Sequence, residues 1–176
     1  MRRIILDLKD KIRVVEDFPI EGISYKDITT LIKDKEGFKA AVDSLAELIE
    51  DDIDIVAGPE ARGFIFGTAL AYKIGAGFVP IRKPGKLPAE TILHEYKLEY
   101  GTDFLEIHKD AISEGAKVLI VDDLLATGGT LEASAKLVEL AGGVVSGIIV
   151  LIELTELGGR DKLQNYNTKS IITYPY

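Results

Sequence analysis

The sequence predicts an α/β fold, an open and mostly parallel sheet flanked by helices. Three observations carry the prediction. Apolar runs of strand length recur at Ile53 to Ala57, Phe78 to Arg82, Lys117 to Val121 and Val144 to Leu151. Segments with helical spacing, Phe64 to Ile74 and Thr130 to Ala141, lie between them, and glycine-bearing turns mark the junctions. Strands that alternate with helices in this way build parallel sheets through right-handed crossovers.

The elements follow in order. Ile4, Ile5, Leu8, Ile12 and Val15 form the apolar stripe of an amphipathic helix that ends before Pro19. Pro19, Gly22 and scattered polar residues make Phe18 to Leu31 a loop that packs locally. Phe38, Ala41, Val42, Leu45, Leu48 and Ile49 mark a second helix, ended by Glu50, Asp51 and Asp52. Ile53 to Arg82 then reads as strand, helix, strand, with Gly75 and Gly77 closing the helix. Arg82 to Pro88 (RKPGKLP) reads as a mobile loop. Leu93 to Tyr100 and Phe104 to Ile107, parted by Gly101-Thr102-Asp103, read as an antiparallel ribbon attached to the main sheet. Lys117 to Val121 is a buried strand, Asp122 to Gly129 its turn, and Gly142-Gly143 the end of the following helix. A last short strand is expected at Ser170 to Tyr174. No linker or repeat divides the chain, so residues 1–176 are read as a single domain.

Composition narrows the function classes. The 176 residues are 47% hydrophobic and 28% charged, an ordinary globular balance. With no cysteine, disulfides, thiolate metal sites and a cysteine nucleophile are excluded. The basic start at Arg2-Arg3 gives way to Asp7, Lys9 and Asp10 before a signal-peptide core could form. No run approaches the roughly 20 apolar residues of a membrane span. A net charge of −8 argues against a broad nucleic-acid surface, which needs a basic face. A cytoplasmic chain is expected.

In an open α/β sheet, ligands bind outside the carboxyl ends of the strands. The richest such turn is KVLIVDDLLATGGT, Lys117 to Thr130. Its strand delivers Asp122 and Asp123 to the crevice edge, and Ala126, Thr127, Gly128, Gly129 and Thr130 open a helix. Small residues there let successive amides converge on one anion at the helix's positive end, and two threonine hydroxyls add donors. The paired carboxylates suit ribose hydroxyls or a hard cation held mainly by substrate oxygens. A phosphate cradle beside a diol site describes a ribose phosphate. A bare Gly-Gly would be an ordinary turn; the strand, the two acids and the helix give the motif its force. Neither a P-loop nor a dinucleotide fingerprint occurs, and Leu98 breaks the H-E-x-x-H pattern begun by His94-Glu95, so His94 and His108 read as surface histidines.

With DFPIEGISYKDIT, GPEARGFIFG, IRKPGKLP and LEYG in the same order around it, VDDLLATGGT resembles the adenine-using branch of the type I phosphoribosyltransferase family. The resemblance covers nearly the whole chain. It implies the type I fold, with a small N-terminal hood segment and a flexible β-ribbon lid, and transfer of 5-phosphoribose from phosphoribosyl pyrophosphate (PRPP) to adenine, giving AMP and pyrophosphate with magnesium. It also implies a homodimer, for which Phe64, Ile65 and Phe66 serve equally well as interface or core.

Carried over residue by residue, Asp122, Asp123 and Ala126 to Thr130 bind ribose and phosphate. Arg62, after a strand in GPEARG, binds pyrophosphate. Arg82, Lys83 and Lys86, three cations with no acid between them, fit a loop that closes on the same group and excludes water. Adenine loses a ring proton as the new bond forms, and Glu99 of LEYG is placed to orient the base and take it; Tyr100 is a weaker candidate for closing on the ribose. Ile23, Tyr25 and Lys26 mark the purine loop, with an aromatic ring to stack and a cation beside it. No metal ligand is assigned, magnesium being held mainly by PRPP.

Overall fold

A computed structural model describes residues 8–97 and 101–175. The first elements depart from expectation. Within the described residues the apolar stripe holds only a 3₁₀ turn at Lys9–Lys11, followed by strand β1 (Arg13–Val15), which pairs antiparallel with β2 (Tyr25–Asp27). Leu8 and Ile12 are buried, as the stripe implies. Val14 and Val15 are β-branched and suit a pleated ribbon better than a helix, and Ile4 and Ile5 lie outside the described residues. The segment read as a loop to Leu31 therefore carries a strand, and also a short helix α1 (Thr29–Ile32), whose first amide donates to Asp27 Oδ1 at 2.8 Å. Helix α2 (Lys35–Glu47) is capped by Asp34, which accepts from the Glu36 amide, and it buries Ala41, Val42 and Leu45 as the stripe predicts.

The main body matches the predicted alternation. Strand β3 (Ile55–Pro59), helix α3 (Gly63–Ile74) and strand β4 (Gly77–Ile81) follow, with Gly75 ending α3 at φ 75°. The ribbon is β5 (Thr91–Lys97) against β6 (Thr102–His108). It forms its own two-stranded sheet, tied to the β4 end where Arg82 and Glu106 exchange backbone hydrogen bonds of 3.0 and 2.8 Å. Strand β7 (Lys117–Leu125) leads to helix α4 (Gly129–Leu140) and strand β8 (Val144–Leu154). A one-turn helix α5 (Gly159–Lys162), not anticipated, precedes strand β9 (Thr168–Tyr174).

The central sheet has the order β4-β3-β7-β8-β9 with every pairing parallel. Its two faces are covered by different helices, which explains why the strands read as continuous apolar runs. Leu119, Val121, Ile149 and Leu151 pack with Leu45, Phe66 and Leu70 of α2 and α3, whereas Ile120, Ile148 and Val150 pack with Leu131, Leu137 and Val138 of α4. Phe66 is fully buried core, while Phe64 lies edge-on to Phe78 with centroids 5.9 Å apart.

One boundary shift matters for function. β7 runs through Leu125, so Asp122 and Asp123 sit within the strand, Asp122 opposite Val150 of β8, rather than in the turn. The apolar Leu124 and Leu125 keep the pleat going past the acids, and Leu125 is 1% exposed.

Candidate active site at the carboxyl edge of the sheet

Because β3 lies between β4 and β7, the carboxyl ends of these strands put three predicted motifs side by side: Arg82 after β4, Glu60 to Arg62 after β3, and Asp122 to Gly128 at the end of β7. Adjacent strands are about 4.8 Å apart, so groups at the edge lie within reach of one small anion.

The cradle is a cavity of about 100 Å³ lined by Asp122 and residues 124–131. Its backbone demands glycine. Gly128 stands at φ 80°, and a Cβ there would come within 2.6 Å of the Gly159 carbonyl oxygen. Gly159 in turn approaches so closely that its own Cβ would fall 2.2 Å from the Ala126 carbonyl oxygen. The α5 backbone thus braces the cradle from below, a contact between segments distant in sequence that no local signal announces. Gly63 serves the other side: a Cβ there would meet Pro59 Cδ at 2.9 Å and Asp122 Oδ1 at 3.0 Å.

The two acids are held differently. Asp122 Oδ1 accepts from the Asp123 amide at 2.8 Å. Its carboxyl is pushed well above the ordinary range, first by burial and then by the neighbouring Asp123 carboxylate. Asp123, 3% exposed, is also raised by burial, against the opposing pull of Arg62. Arg62 Nε lies 3.0 Å from Asp123 Oδ2, while its Nη1 donates to the Tyr25 hydroxyl at 2.9 Å. The Glu60–Ala61 peptide just ahead of Arg62 is cis.

The cationic loop is not a free cluster. Its cations find acids from other segments. Arg82 Nε and Lys86 Nζ lie 2.8 and 2.6 Å from the Glu60 carboxylate, and the Lys83 amide donates to the same group at 3.2 Å. Lys83 Nζ is paired with Asp103 and donates to the Tyr96 hydroxyl at 3.3 Å. Buried Glu106 accepts from the amides of Lys86 and Leu87 at 3.2 and 3.3 Å. The loop read as mobile is therefore clamped by carboxylates on both sides. Burial alone would raise the Glu60 pKa, but hydrogen bonds from Lys86, Arg82 and the Lys83 amide together hold it below the ordinary carboxylate value. Glu60 was legible two residues before Arg62; Asp103 and Glu106 were not, because only strand pairing brings them to the loop.

The purine-loop residues stand on and beside β2. Phe18 lies edge-on to Tyr25, centroids 5.2 Å apart, and a cavity of about 320 Å³ opens among Val15, Phe18, Tyr25 and Asp27. The Ile23 backbone is engaged in its own loop, its amide donating to Ile20 and its carbonyl accepting from Phe18. Lys26 is 6% exposed, and its ammonium donates to the carbonyl and hydroxyl of Ser24, turned onto its own loop. Glu99 and Tyr100 lie outside the described residues. His94 and His108 stand on the ribbon, His108 accepting from the Ala89 amide at 3.4 Å.

Comparison with known proteins identifies the family. Residues 29–174 match the phosphoribosyl transferase domain family. An adenine phosphoribosyltransferase of Clostridium perfringens is 64% identical over 96% of this chain and 99% of its own. One of Alkaliphilus metalliredigens is also 64% identical, over 96% of this chain and all of its own. Among solved structures, adenine phosphoribosyltransferase from Thermoanaerobacter pseudethanolicus superimposes with a TM-score of 0.93 at 59% identity, covering 95% of this chain and 98% of the other. The Saccharomyces cerevisiae enzyme, solved with adenine and an imino-altritol bisphosphate, gives 0.88 at 40% identity over 93% and 96% of the two chains. By the domain match and these identities, this chain belongs to the phosphoribosyltransferase family, among the adenine phosphoribosyltransferases.

Proposed function

We propose that this protein transfers 5-phosphoribose from PRPP to adenine, releasing pyrophosphate and forming AMP in purine salvage. The observation that carries the reading is the meeting of cradle, diol acids and Arg62 on neighbouring strand ends. The 5-phosphate sits in the amides and hydroxyls of Ala126 to Thr130, and the ribose hydroxyls donate to Asp122 and Asp123. Arg62, Arg82, Lys83 and Lys86 take the diphosphate, the last three by exchanging their internal carboxylates for it. Tyr25 stacks on adenine, with Ile23 and Lys26 shaping the loop around it. As the bond from the anomeric carbon to diphosphate oxygen breaks, a ring nitrogen of adenine bonds to that carbon and its proton passes to Glu99. Charge grows on the leaving group during this step, so fixed cations there stabilise the transition state more than the ground state.

Magnesium enters this reading with the substrate. A hard cation would be held mainly by diphosphate and ribose oxygens, beside the paired carboxyls of Asp122 and Asp123. The ion would neutralise the diphosphate. We read residues 1–176 as one domain that works as a cytoplasmic homodimer. No helix among the described residues is long and apolar enough to cross a membrane.

The decisive experiment incubates the protein with PRPP, magnesium and each free base in turn. AMP from adenine, with little or no product from hypoxanthine, guanine or orotate, is the expected result; no AMP would overturn the reading, and a preference for another base would reassign the substrate.

A further inference from the structure

We propose that the Tyr25 hydroxyl is a positioning group that fixes the Arg62 guanidinium, so that the purine loop and the diphosphate turn act as one unit. The proposal rests on the transfer reading above for the identity of the two ligands, though not for the contact itself.

Arg62 meets two protein groups from separate sheets, Asp123 on the central sheet and Tyr25 on the β1–β2 ribbon. They are not equivalent. Asp123 Oδ2 is buried and has no aligned hydrogen bond, although Arg62 Nε lies 3.0 Å away, so this ion pair supplies attraction without direction. The bond from Nη1 to the Tyr25 hydroxyl, at 2.9 Å, supplies the direction. The guanidinium carbon also lies 5.4 Å from the centroid of the same ring, so the phenol contacts Arg62 through its face and its hydroxyl. Phe18 packed edge-on holds the ring in turn.

A guanidinium has more N–H groups than these two contacts use. Those left over are presented in a fixed fork, the geometry that bidentate recognition of phosphate oxygens requires. Arg62 carries a side-chain exposure of 32%, enough to meet a ligand while anchored at both ends. Without the hydroxyl, the arginine keeps its attraction to Asp123 but loses its orientation, and ordering it falls to the incoming diphosphate. The ring that faces adenine is the ring that holds Arg62, so occupancy of either ligand site favours the geometry the other needs.

Tyr25→Phe separates the hydroxyl from the ring. Calorimetry with pyrophosphate and magnesium is expected to show binding weakened about five- to tenfold, the worth of one ordinary hydrogen bond, since the hydroxyl acts on the ligand only through Arg62. In steady state, kcat/KM for PRPP falls by at least a similar factor, because the same cation meets the charge that grows on the leaving diphosphate. In an Arg62→Ala background, Tyr25→Phe should change pyrophosphate binding by less than about twofold, because the hydroxyl acts through Arg62. Pyrophosphate binding unchanged or tightened in Tyr25→Phe overturns the proposal, as does a lowered melting temperature with binding intact, or an equal loss in the Arg62→Ala background. If the wild-type protein makes no AMP, the transfer reading fails while the pyrophosphate titrations still decide this proposal.

Discussion

Glu60 carries its carboxylate 2.6 Å from the Lys86 ammonium, so a cation assigned to diphosphate already holds an internal anion. The same carboxylate takes Arg82 at 2.8 Å, and its side chain is only 9% exposed. A chain of net charge −8 keeps these cations ordered, without a ligand, by giving them a stand-in for the ligand's charge. In the proposed reaction, diphosphate binding is then an exchange of anions.

Glu60→Gln tests that exchange. The amide oxygen can still accept from Arg82 or Lys86, but the competing charge is gone. Pyrophosphate binding is expected to tighten about three- to tenfold at low salt, with the gain shrinking as ionic strength rises. Stability should fall by about 1–2 kcal/mol, a modest loss because Lys86 is half exposed and screened. The sign with pH follows from the lowered Glu60 pKa: its stabilisation is present above the ordinary value of 4.5 and fades as pH falls through the lower folded value. The stability difference between wild type and Glu60→Gln should therefore close in acid. A weaker pyrophosphate titration would show that the carboxylate organises the loop rather than competes for it.

Asp122 titrates in the opposite sense. Its raised pKa means that the folded protein holds the proton more tightly than the unfolded chain, so stability is lost as pH rises from the ordinary value of 3.8 through the raised one. Asp122→Asn removes that liability and can keep the hydrogen bond from the Asp123 amide. The variant should melt above wild type at pH 7, with the gap narrowing toward pH 4, and should bind AMP at least about tenfold more weakly, since the ribose hydroxyls lose a charged acceptor. For wild type, AMP affinity should drop as acid protonates Asp122. Equal melting temperatures across that range would show that the carboxyl is not perturbed.

The parts of this site that the sequence made legible are those whose physics is local. Gly128-Gly129 could be read because the turn's positive φ is a property of one residue, and Arg62 because it follows a strand directly. The alternation of strands and helices was legible for the same reason. Three features were not. The acids at 122 and 123 look like the end of a strand, yet β7 continues because Leu125 has a buried place to go. Val15 falls on a helical stripe by coincidence and, like Val14, takes its conformation from pairing with β2. Glu106 lies at the middle of the ribbon, and its contacts with the loop at Lys86 and Leu87 exist only once β5 and β6 have paired. Long-range contacts decided each case.

Gly159 is the sharpest test of that long-range bracing. It makes no predicted contact with ligand, yet a methyl group there would overlap the Ala126 carbonyl oxygen at 2.2 Å and Leu125 Cδ1 at 2.7 Å. The first neighbour is backbone and cannot swing aside, so α5 or the cradle must shift. Gly159→Ala should cost about 2–3 kcal/mol, which lowers the melting temperature by about 4–12 °C for a chain of this size. AMP binding should weaken as well, because the amides of residues 127–130 move with the carbonyl. Gly85→Ala is the contrasting control: unlike Gly159 it has a positive φ, at 79°, but nothing lies within 4 Å of its Cβ. It should lower stability modestly through backbone strain and leave AMP affinity within about twofold. Comparable losses of AMP affinity in both variants would remove the case for bracing by α5.

Glu99 carries the proton step in the proposed reaction, and its test must separate chemistry from binding. Adenine's attacking nitrogen becomes positively charged unless its proton leaves as the bond to the anomeric carbon forms. A carboxylate at hydrogen-bond distance accepts that proton and contributes about 10²–10⁴ in rate, mostly in the transition state. Glu99→Gln keeps the size and an acceptor oxygen but has almost no basicity. It should therefore lower kcat within that range while the KM values for adenine and PRPP move less than about threefold. Glu99→Ala, which also loses the hydrogen bond that orients the base, should raise the adenine KM in addition. The neighbouring Glu95, on β5, is exposed on the ribbon and serves as the control, with Glu95→Gln expected to be silent. If Glu99→Gln turns over within a factor of about two of wild type, the proton leaves by another route and the assignment of this residue is wrong.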